Sequence, residues 1–589
     1  MFSLRRWLFR AAVCGISVGA FSSNLGSADA QQNRLGAPMT PSILQGPVTP
    51  SILQGPVTQV GGPEATPVVD RDADSRARPK PADTPVPTAT QPPLAIPDAG
   101  KEQPKSAWYD NPPYRAIPRP GNFYVPPTGC GFYSLADRIN GQSRDSAPKS
   151  AYPPFVLMPP SLFDADFRYV DNPKYQPDFL ESLHRIHLGD NWMAGTGGQA
   201  SWRHMREFNS RLSGRNNDYD LFRLRTYGEL WYKDSFRIYS ELIMAGTANQ
   251  DLPPLRIDEN RVDIQNLFID VKIGEFDCRP AYLRVGRQEI MLGSQRLISA
   301  LDWANTRRTF EGARGFWSND KFDVDLFWLR PILVDNARFD WSDPKQNFYG
   351  AWGTYRPKKG TAVDLYYLFL DNANRTTPQG LATAPTSLHT LGTRYAGDRD
   401  GFLWDVEGML QLGQRGPGDI AAGSTTVGLG YNAKNLPMNP TFWAYYDWAS
   451  GDRTPNSGDY NTFNQLFPFG HYYYGMIDLV GRQNIRDWNF HLYLNPAKWI
   501  TFNAQYHFLS LDSSRDALYG PGGAPSRVRL NGSAGGVVGQ EMTFMANFHL
   551  TQRTDFFVGW AKMTAGNFVS NTGNSRSPEL FYLMYNVRW

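Results

Sequence analysis

The sequence predicts an all-β fold, a transmembrane antiparallel β-barrel of about eighteen strands behind a disordered proline-rich extension. Three observations predict it. Segments of roughly ten residues alternate apolar and polar side chains with a period of two, as strands between lipid and water do. The connections between these segments alternate in length. The chain also ends on such a strand, Phe581-Tyr-Leu-Met-Tyr-Asn-Val-Arg-Trp589.

In that last segment Phe581, Leu583, Tyr585, Val587 and Trp589 share one face and Tyr582, Met584, Asn586 and Arg588 the other. A half-buried strand of a soluble sandwich would look the same, so repetition upstream decides. Phe402, Trp404, Val406, Leu410 and Leu412 oppose Asp405, Glu407 and Gln411. Ile500, Phe502, Ala504, Tyr506 and Phe508 oppose Thr501, Asn503, Gln505 and His507, and Phe322, Val324, Leu326 and Trp328 oppose Asp323 and Asp325. Carboxylates and amides thus recur on the inner face, whereas a soluble barrel fills its interior with apolar side chains.

Composition agrees. Mean hydropathy is -0.46, and no apolar run of ~18 residues could cross a bilayer as a helix; barrels escape such a test because only alternate residues meet lipid. Lys and Arg number 59 against 56 Asp and Glu, and a signal peptide over 1–30 would remove Arg5, Arg6, Arg10 and Asp29, leaving a net charge of +1. That balance argues against a nucleic-acid partner. Cys130 and Cys278 either pair or stay free; two cysteines make no disulfide scaffold.

Four regions follow in order. Residues 1–30 read as a secretory signal, with Arg5 and Arg6, an apolar stretch from Ala11 and the small-residue box Ala28-Asp29-Ala30. Residues 31–107 lack aromatics, and 31–160 hold 26 of the 45 prolines and a tandem repeat, Thr40 to Val48 and Thr49 to Val57; this predicts an extended periplasmic spacer. Residues 108–190, where aromatics return among prolines, predict a semi-ordered cap or plug. Residues 191–589 predict the barrel. Its tight links, such as Lys233-Asp-Ser235, Ser318-Asn-Asp320 and Pro357-Lys-Lys-Gly360, strictly alternate with long ones, Met291 to Phe310, Pro331 to Asn347, Asp371 to Ser387, Ser450 to Gln483 and Leu511 to Gly539. An even strand number places both ends in the periplasm and leaves room for an open interior.

Tyr282-Leu-Arg-Val-Gly-Arg-Gln288, Gly293-Ser-Gln-Arg-Leu297 and Asp302-Trp-Ala-Asn-Thr-Arg-Arg-Thr-Phe-Glu-Gly312 together resemble the bacterial alginate export family, as do Ser450-Gly-Asp452 and Thr462 to His471. The resemblance covers roughly Asn191 to Trp589 and leaves the proline-rich extension outside. It implies an eighteen-stranded outer-membrane barrel that conducts a secreted polyanion.

Parity assigns the wall. Arg223, Arg225 and Tyr227 face inward with Glu229, and on the next strand Arg237 does so with Tyr239 and Glu241. Arg284 and Gln288 also point inward, while Arg287 requires a bulge or a rim position, because arginine facing hydrocarbon is costly. Arg296 and Arg308, with Arg307, Asp302 and Trp303, lie on a loop that either folds in as a constriction or lies solvated outside. The sector of Arg223, Arg225 and Arg237 draws in polyuronates by bidentate contacts; equally, those three arginines pair with Glu229, Glu241 and other inward carboxylates as a structural network. The two readings are compatible.

The function expected is an outer-membrane channel passing anionic polysaccharide or oligosaccharide, with a general or anion-selective porin for small solutes as the alternative. The barrel-enzyme class finds little support: no Gly-x-Ser-x-Gly elbow or His-Glu-x-x-His motif occurs, and His491, His507 and His549 are scattered. No catalytic, cofactor-binding or metal-ligating set is read. The partners expected are outer-membrane lipid, an anionic polysaccharide or small anionic solute, the barrel assembly machinery through the C-terminal strand, and peptidoglycan or periplasmic partners through 31–160.

Overall fold

The computed structural model describes residues 124–152 and 158–589. The signal and spacer expected over 1–107 lie outside the described residues, as does the start of the cap.

Eighteen antiparallel strands run in chain order from Trp192 to Arg588. They are β1 (Trp192–Phe208), β2 (Asn217–Tyr232), β3 (Phe236–Ala248), β4 (Asn260–Phe276), β5 (Arg279–Gln288) and β6 (Phe310–Ser318). Then come β7 (Phe322–Leu333), β8 (Gln346–Tyr355), β9 (Thr361–Asn372), β10 (Thr386–Arg399), β11 (Phe402–Arg415) and β12 (Gly418–Asn432). The last six are β13 (Thr441–Ala449), β14 (Ile485–Ala497), β15 (Ile500–Ser510), β16 (Val537–His549), β17 (Thr554–Ala565) and β18 (Glu579–Arg588).

β18 pairs with β1 from Glu579 opposite Phe208 to Arg588 opposite Gln199, and the sheet closes. Trp589 completes the seam, its N–H donating to the Gly198 carbonyl at 3.1 Å and its carbonyl accepting from Gly198 N–H at 2.8 Å. A Cβ on Gly198 would stand 2.4 Å from the Trp589 indole, so glycine is what lets the terminal ring lie on β1. Beyond this point Ile186–Leu188 pairs with Trp192, Met193 and Ala194, which covers the part of β1 that β18 does not reach.

The predicted parity holds along the strands. Phe402, Val406, Leu410 and Leu412 are exposed while Asp405, Glu407 and Gln411 are buried; Phe502 and Phe508 are exposed while Thr501, Asn503, Gln505 and His507 are buried. An apolar, aromatic-rich outer face on a closed sheet has no unpaired edge to offer and suits hydrocarbon.

One end of the barrel carries short turns, such as 233–235, 277–278, 319–321, 400–401 and 498–499, and both Trp192 and Arg588 lie there. The other carries long loops, 249–259, 289–309, 334–345, 373–385, 450–484, 511–536 and 566–578. The strict alternation expected from sequence fails at two links. Gly416 and Pro417 alone join β11 to β12 at the long-loop end, Gly416 turning at φ +58°, and 433–440 is a longer link at the short-turn end. Cys130 and Cys278 are both free and exposed.

The room inside the strands is occupied. Loops 289–309 and 450–484 fold inward and build an apolar core with the wall, containing Ile290, Leu297, Ile298, Phe310, Phe348, Phe463, Phe469 and Tyr472. From the short-turn end a third insert enters, with Leu162, Phe163 and Phe167 packed against Tyr227, Tyr239 and Phe268 of β2, β3 and β4. Residues 124–150 stay at the short-turn end, before Tyr152 joins the core of the insert: Ala136 N–H donates to the Leu550 carbonyl at 3.0 Å, and Asn439 Nδ2 to the Val125 carbonyl at 2.8 Å.

Candidate functional site

The loop 289–309 folds inward because it carries Ile290, Leu292, Leu297, Ile298 and Ala300, each almost fully buried, and a loop of that composition cannot rest in water. Its backbone is satisfied by the second inner loop. Ile298 and Phe467 form a parallel bridge; Phe467 N–H donates to Leu297, Ser299 N–H to Phe467 and Phe469 N–H to Gln295, all at 2.9 Å. Trp303 stacks on His471 with ring centroids 3.5 Å apart. The solvated external placement left open by the sequence is therefore not the one adopted.

This loop meets the arginines of the wall. Arg223 Nη2 lies 2.9 Å from the Asp302 carboxylate and also donates through Nη1 to the Asp302 and Ala304 carbonyls. Arg225 bridges Glu241 at 2.6 Å and Glu289 at 3.0 Å. Arg307 holds the other side of Glu289 at 2.6 Å and also pairs with Asp302. Burial opposes ionisation of Glu289 and Asp302, but the facing guanidiniums outweigh it and hold both carboxyls well below the ordinary carboxylate range.

Two further side chains complete this cluster through a β-bulge. Between β3 and β4 the register shifts, with Glu241 opposite Asn266 and Leu242 opposite Ile264, so Gln265 and Asn266 both turn inward and are buried. Gln265 Nε2 donates to Glu289 at 3.0 Å, Asn266 Nδ2 to Glu241 at 3.0 Å, and Glu289 N–H to Asn266 Oδ1 at 2.8 Å. The sequence carried a signal for this: Val262 and Ile264 keep one parity and Leu267, Ile269 and Val271 the other.

The remaining wall residues are distributed as follows. Arg237 pairs with Glu229 and Arg284 with Asp270, Nε to oxygen at 2.8 and 2.7 Å. Tyr227 accepts or donates at 2.7 Å with His184 Nδ1. Gln288 is fully buried at the end of β5. Arg287 sits at the rim, donating to the Ile264 and Asp340 carbonyls at 2.9 Å, which resolves its awkward parity. Arg296 is separate from this group: it crosses to β11, reaching Asp405 at 2.7 Å and Glu407 at 2.8 Å. The paired network left open by the sequence for Arg223, Arg225 and Arg237 is thus realised, and Arg284 and Arg296 are paired with carboxylates as well.

Two inner arginines differ. Arg308 donates to the Ser299 and Pro468 carbonyls at 3.2 Å. Arg203 of β1 donates to the Trp303 carbonyl at 3.0 Å and lies 3.8 Å over its ring. Among the described residues neither forms an ion pair with a carboxylate. Sequence reasoning missed Arg203, although its parity, opposite to Trp202, places it inward, and it missed Glu289, which lies just past the strand end where alternation stops applying.

The inward histidines are bound into the wall. His507 Nδ1 meets Asp487 at 2.7 Å, His549 Nδ1 meets Asp555 at 2.6 Å, and His491 Nε2 meets Asn489 at 2.8 Å.

A closed antiparallel sheet with an apolar outside and an ionisable inside defines a membrane β-barrel, of the outer-membrane kind. Residues 193–583 match the alginate export family, and the chain belongs to it. Comparison with curated proteins finds no match. Among solved structures, Pseudomonas aeruginosa OpdQ is 13% identical, with a TM-score of 0.46 and coverage of 67% of this chain and 97% of that one. P. aeruginosa OccK3 (OpdO) is 13% identical, with a TM-score of 0.45 and coverage of 67% and 95%. P. aeruginosa OccK8 (OprE) is 12% identical, with a TM-score of 0.44 and coverage of 67% and 98%.

Proposed function

We propose that the chain is an outer-membrane channel passing anionic polysaccharide or oligosaccharide, with its short-turn end in the periplasm. Net charge is near zero, so attraction for an anion must come from local arrangement. One observation supports it: at the inner loop Arg203 and Arg308 carry charge that no ion pair among the described residues neutralises, beside Arg223, Arg225 and Arg307, whose charges are met by Asp302, Glu289 and Glu241. A guanidinium held by carbonyls and rings keeps its full charge for a passing carboxylate. In this reading the outer face takes lipid, β18 with Trp589 presents the face recognised by the assembly machinery, and residues 31–160 reach peptidoglycan or other periplasmic partners.

The reading is tested by reversal potentials of the reconstituted protein in a salt gradient. Wild type should prefer anions, and Arg203→Gln with Arg308→Gln should lower the anion-to-cation ratio and weaken current block by oligouronates, more so at low salt. Cation preference in wild type sinks the polyanion role. The deep filling of the interior by two loops favours, as the second reading, a porin for small solutes.

A further inference from the structure

The inner faces of β2, β3 and β4 carry an aromatic row beneath the insert from the short-turn end. Tyr227 and Tyr239 lie with ring centroids 5.3 Å apart and planes 23° apart, and Tyr239 and Phe268 at 5.1 Å and 14°. Three near-parallel rings on adjacent strands, too close to lie side by side in one plane, make an offset-stacked strip. Two guanidiniums border it: Arg284 lies 3.9 Å over Phe268, and Arg237 lies 5.0 Å over Tyr239.

Phe163 stands on this strip. Its ring is edge-on to Tyr239 at 5.5 Å and to Phe268 at 5.1 Å, and its carbonyl accepts from Arg237 Nη2 at 3.1 Å. An apolar ring across the side of the aromatic stack and an oxygen on the guanidinium are the two contacts that the apolar face of a pyranose ring with a carboxyl or hydroxyl substituent would make there. The segment that brings Phe163 in belongs to no barrel strand, so it can leave without breaking the closed sheet. Its return leg reaches β1 through Ile186–Leu188, at the short-turn end.

We propose that the row Tyr227, Tyr239 and Phe268 is a saccharide-binding track of the channel, and that the segment from Ser161 to His184 holds it closed by seating Phe163 on it. This rests on the channel reading above. Because Glu229 and Asp270 already neutralise Arg237 and Arg284, the track grips the sugar ring first and its charge second. It therefore differs from the Arg203 and Arg308 charges, which select the sign of the cargo.

The test is single-channel recording of the full-length protein, as wild type, Phe163→Ala, and Phe163→Ala with Phe268→Leu, each first shown to be folded by heat-modifiable mobility. Phe163→Leu, which keeps apolar volume but removes the flat ring, serves if the alanine variant fails to assemble. Phe163→Ala should raise the mean current several-fold and make it blockable by both a neutral glucan oligomer and an oligouronate. Adding Phe268→Leu should weaken both blocks on the order of fivefold, the value of one lost ring contact. A wild-type current that Phe163→Ala leaves unchanged overturns the closure and leaves the channel reading standing. Block that Phe268→Leu does not weaken overturns the track. Absence of current in every variant overturns the channel reading along with it.

Discussion

Ser161 Oγ donates a 2.5 Å hydrogen bond to the carboxylate of Glu289, and through it the insert from the short-turn end touches the loop that enters from the opposite end. Both residues are fully buried. Glu289 therefore sits where three elements meet: the insert, the wall through Arg225, and its own loop through Arg307.

Removing either side of that contact has unequal consequences. Ser161→Ala deletes one hydrogen bond from a carboxylate with several other donors and should cost about 1 kcal/mol. Glu289→Gln leaves Arg225 and Arg307 without the charge between them and should cost roughly 3–5 kcal/mol. Urea midpoints of the refolded barrel in micelles will check the order. Equal losses for the two variants would mean that Glu289 is not the keystone of the cluster.

Acid should release the inner loop late. Glu289 and Asp302 have their carboxyls depressed by Arg307, Arg225 and Arg223 against the opposing effect of burial. A depressed carboxyl stabilises the docked form fully above its unfolded value, near pH 4, and that contribution is lost only as pH falls through the lower folded value. Fluorescence of the protein, with Trp303 on this loop as reporter, should stay constant from neutral pH to about 4 and change below it. A transition near pH 6 would contradict the pairing.

The seam makes a prediction about assembly. Gly198→Val puts a side chain where the Trp589 indole lies, and Trp589→Asp removes the ring from the face proposed to be recognised by the assembly machinery. Both should lower the amount of heat-modifiable barrel in the outer membrane. Wild-type levels of the Trp589 variant would count against the role given to the last strand.

A chain shortened to begin at Ser161 should still give a β-rich circular dichroism spectrum. Closure depends on β1 against β18, and the described residues removed contact the short-turn end, as in the Asn439 bond to Val125, and pack inside the barrel through Tyr152 and Met158, but pair with no barrel strand. Loss of the β signal would make that segment integral to the fold.

The fold was legible because alternation is a local property. Each residue's parity follows from its neighbours two positions away, so the outward Phe402 and Leu410 and the inward Asp405 and Glu407 could be assigned without knowing which strand lay beside which. The same locality let Arg223, Arg225, Arg237 and Arg284 be placed on the inner face. It failed where alternation is interrupted: at the bulge that turns both Gln265 and Asn266 inward, and at Glu289, one residue beyond the end of β5.

By itself, then, the sequence determined the barrel, its strand number, its closing aromatic strand and the inward side of its wall, because hydrophobic periodicity and turn chemistry are written residue by residue. Only the tertiary structure decided what fills the barrel and who neutralises whom. That Arg296 reaches across to Asp405 and Glu407, that Arg225 shares Glu289 with Arg307, and that Phe163 lies on Tyr239 and Phe268 are pairings between residues far apart in the chain. They follow from how the two inner loops and the N-terminal insert pack inside the closed wall, where a buried charge must find a partner and an apolar loop must find cover. No spacing within any one segment encodes that choice.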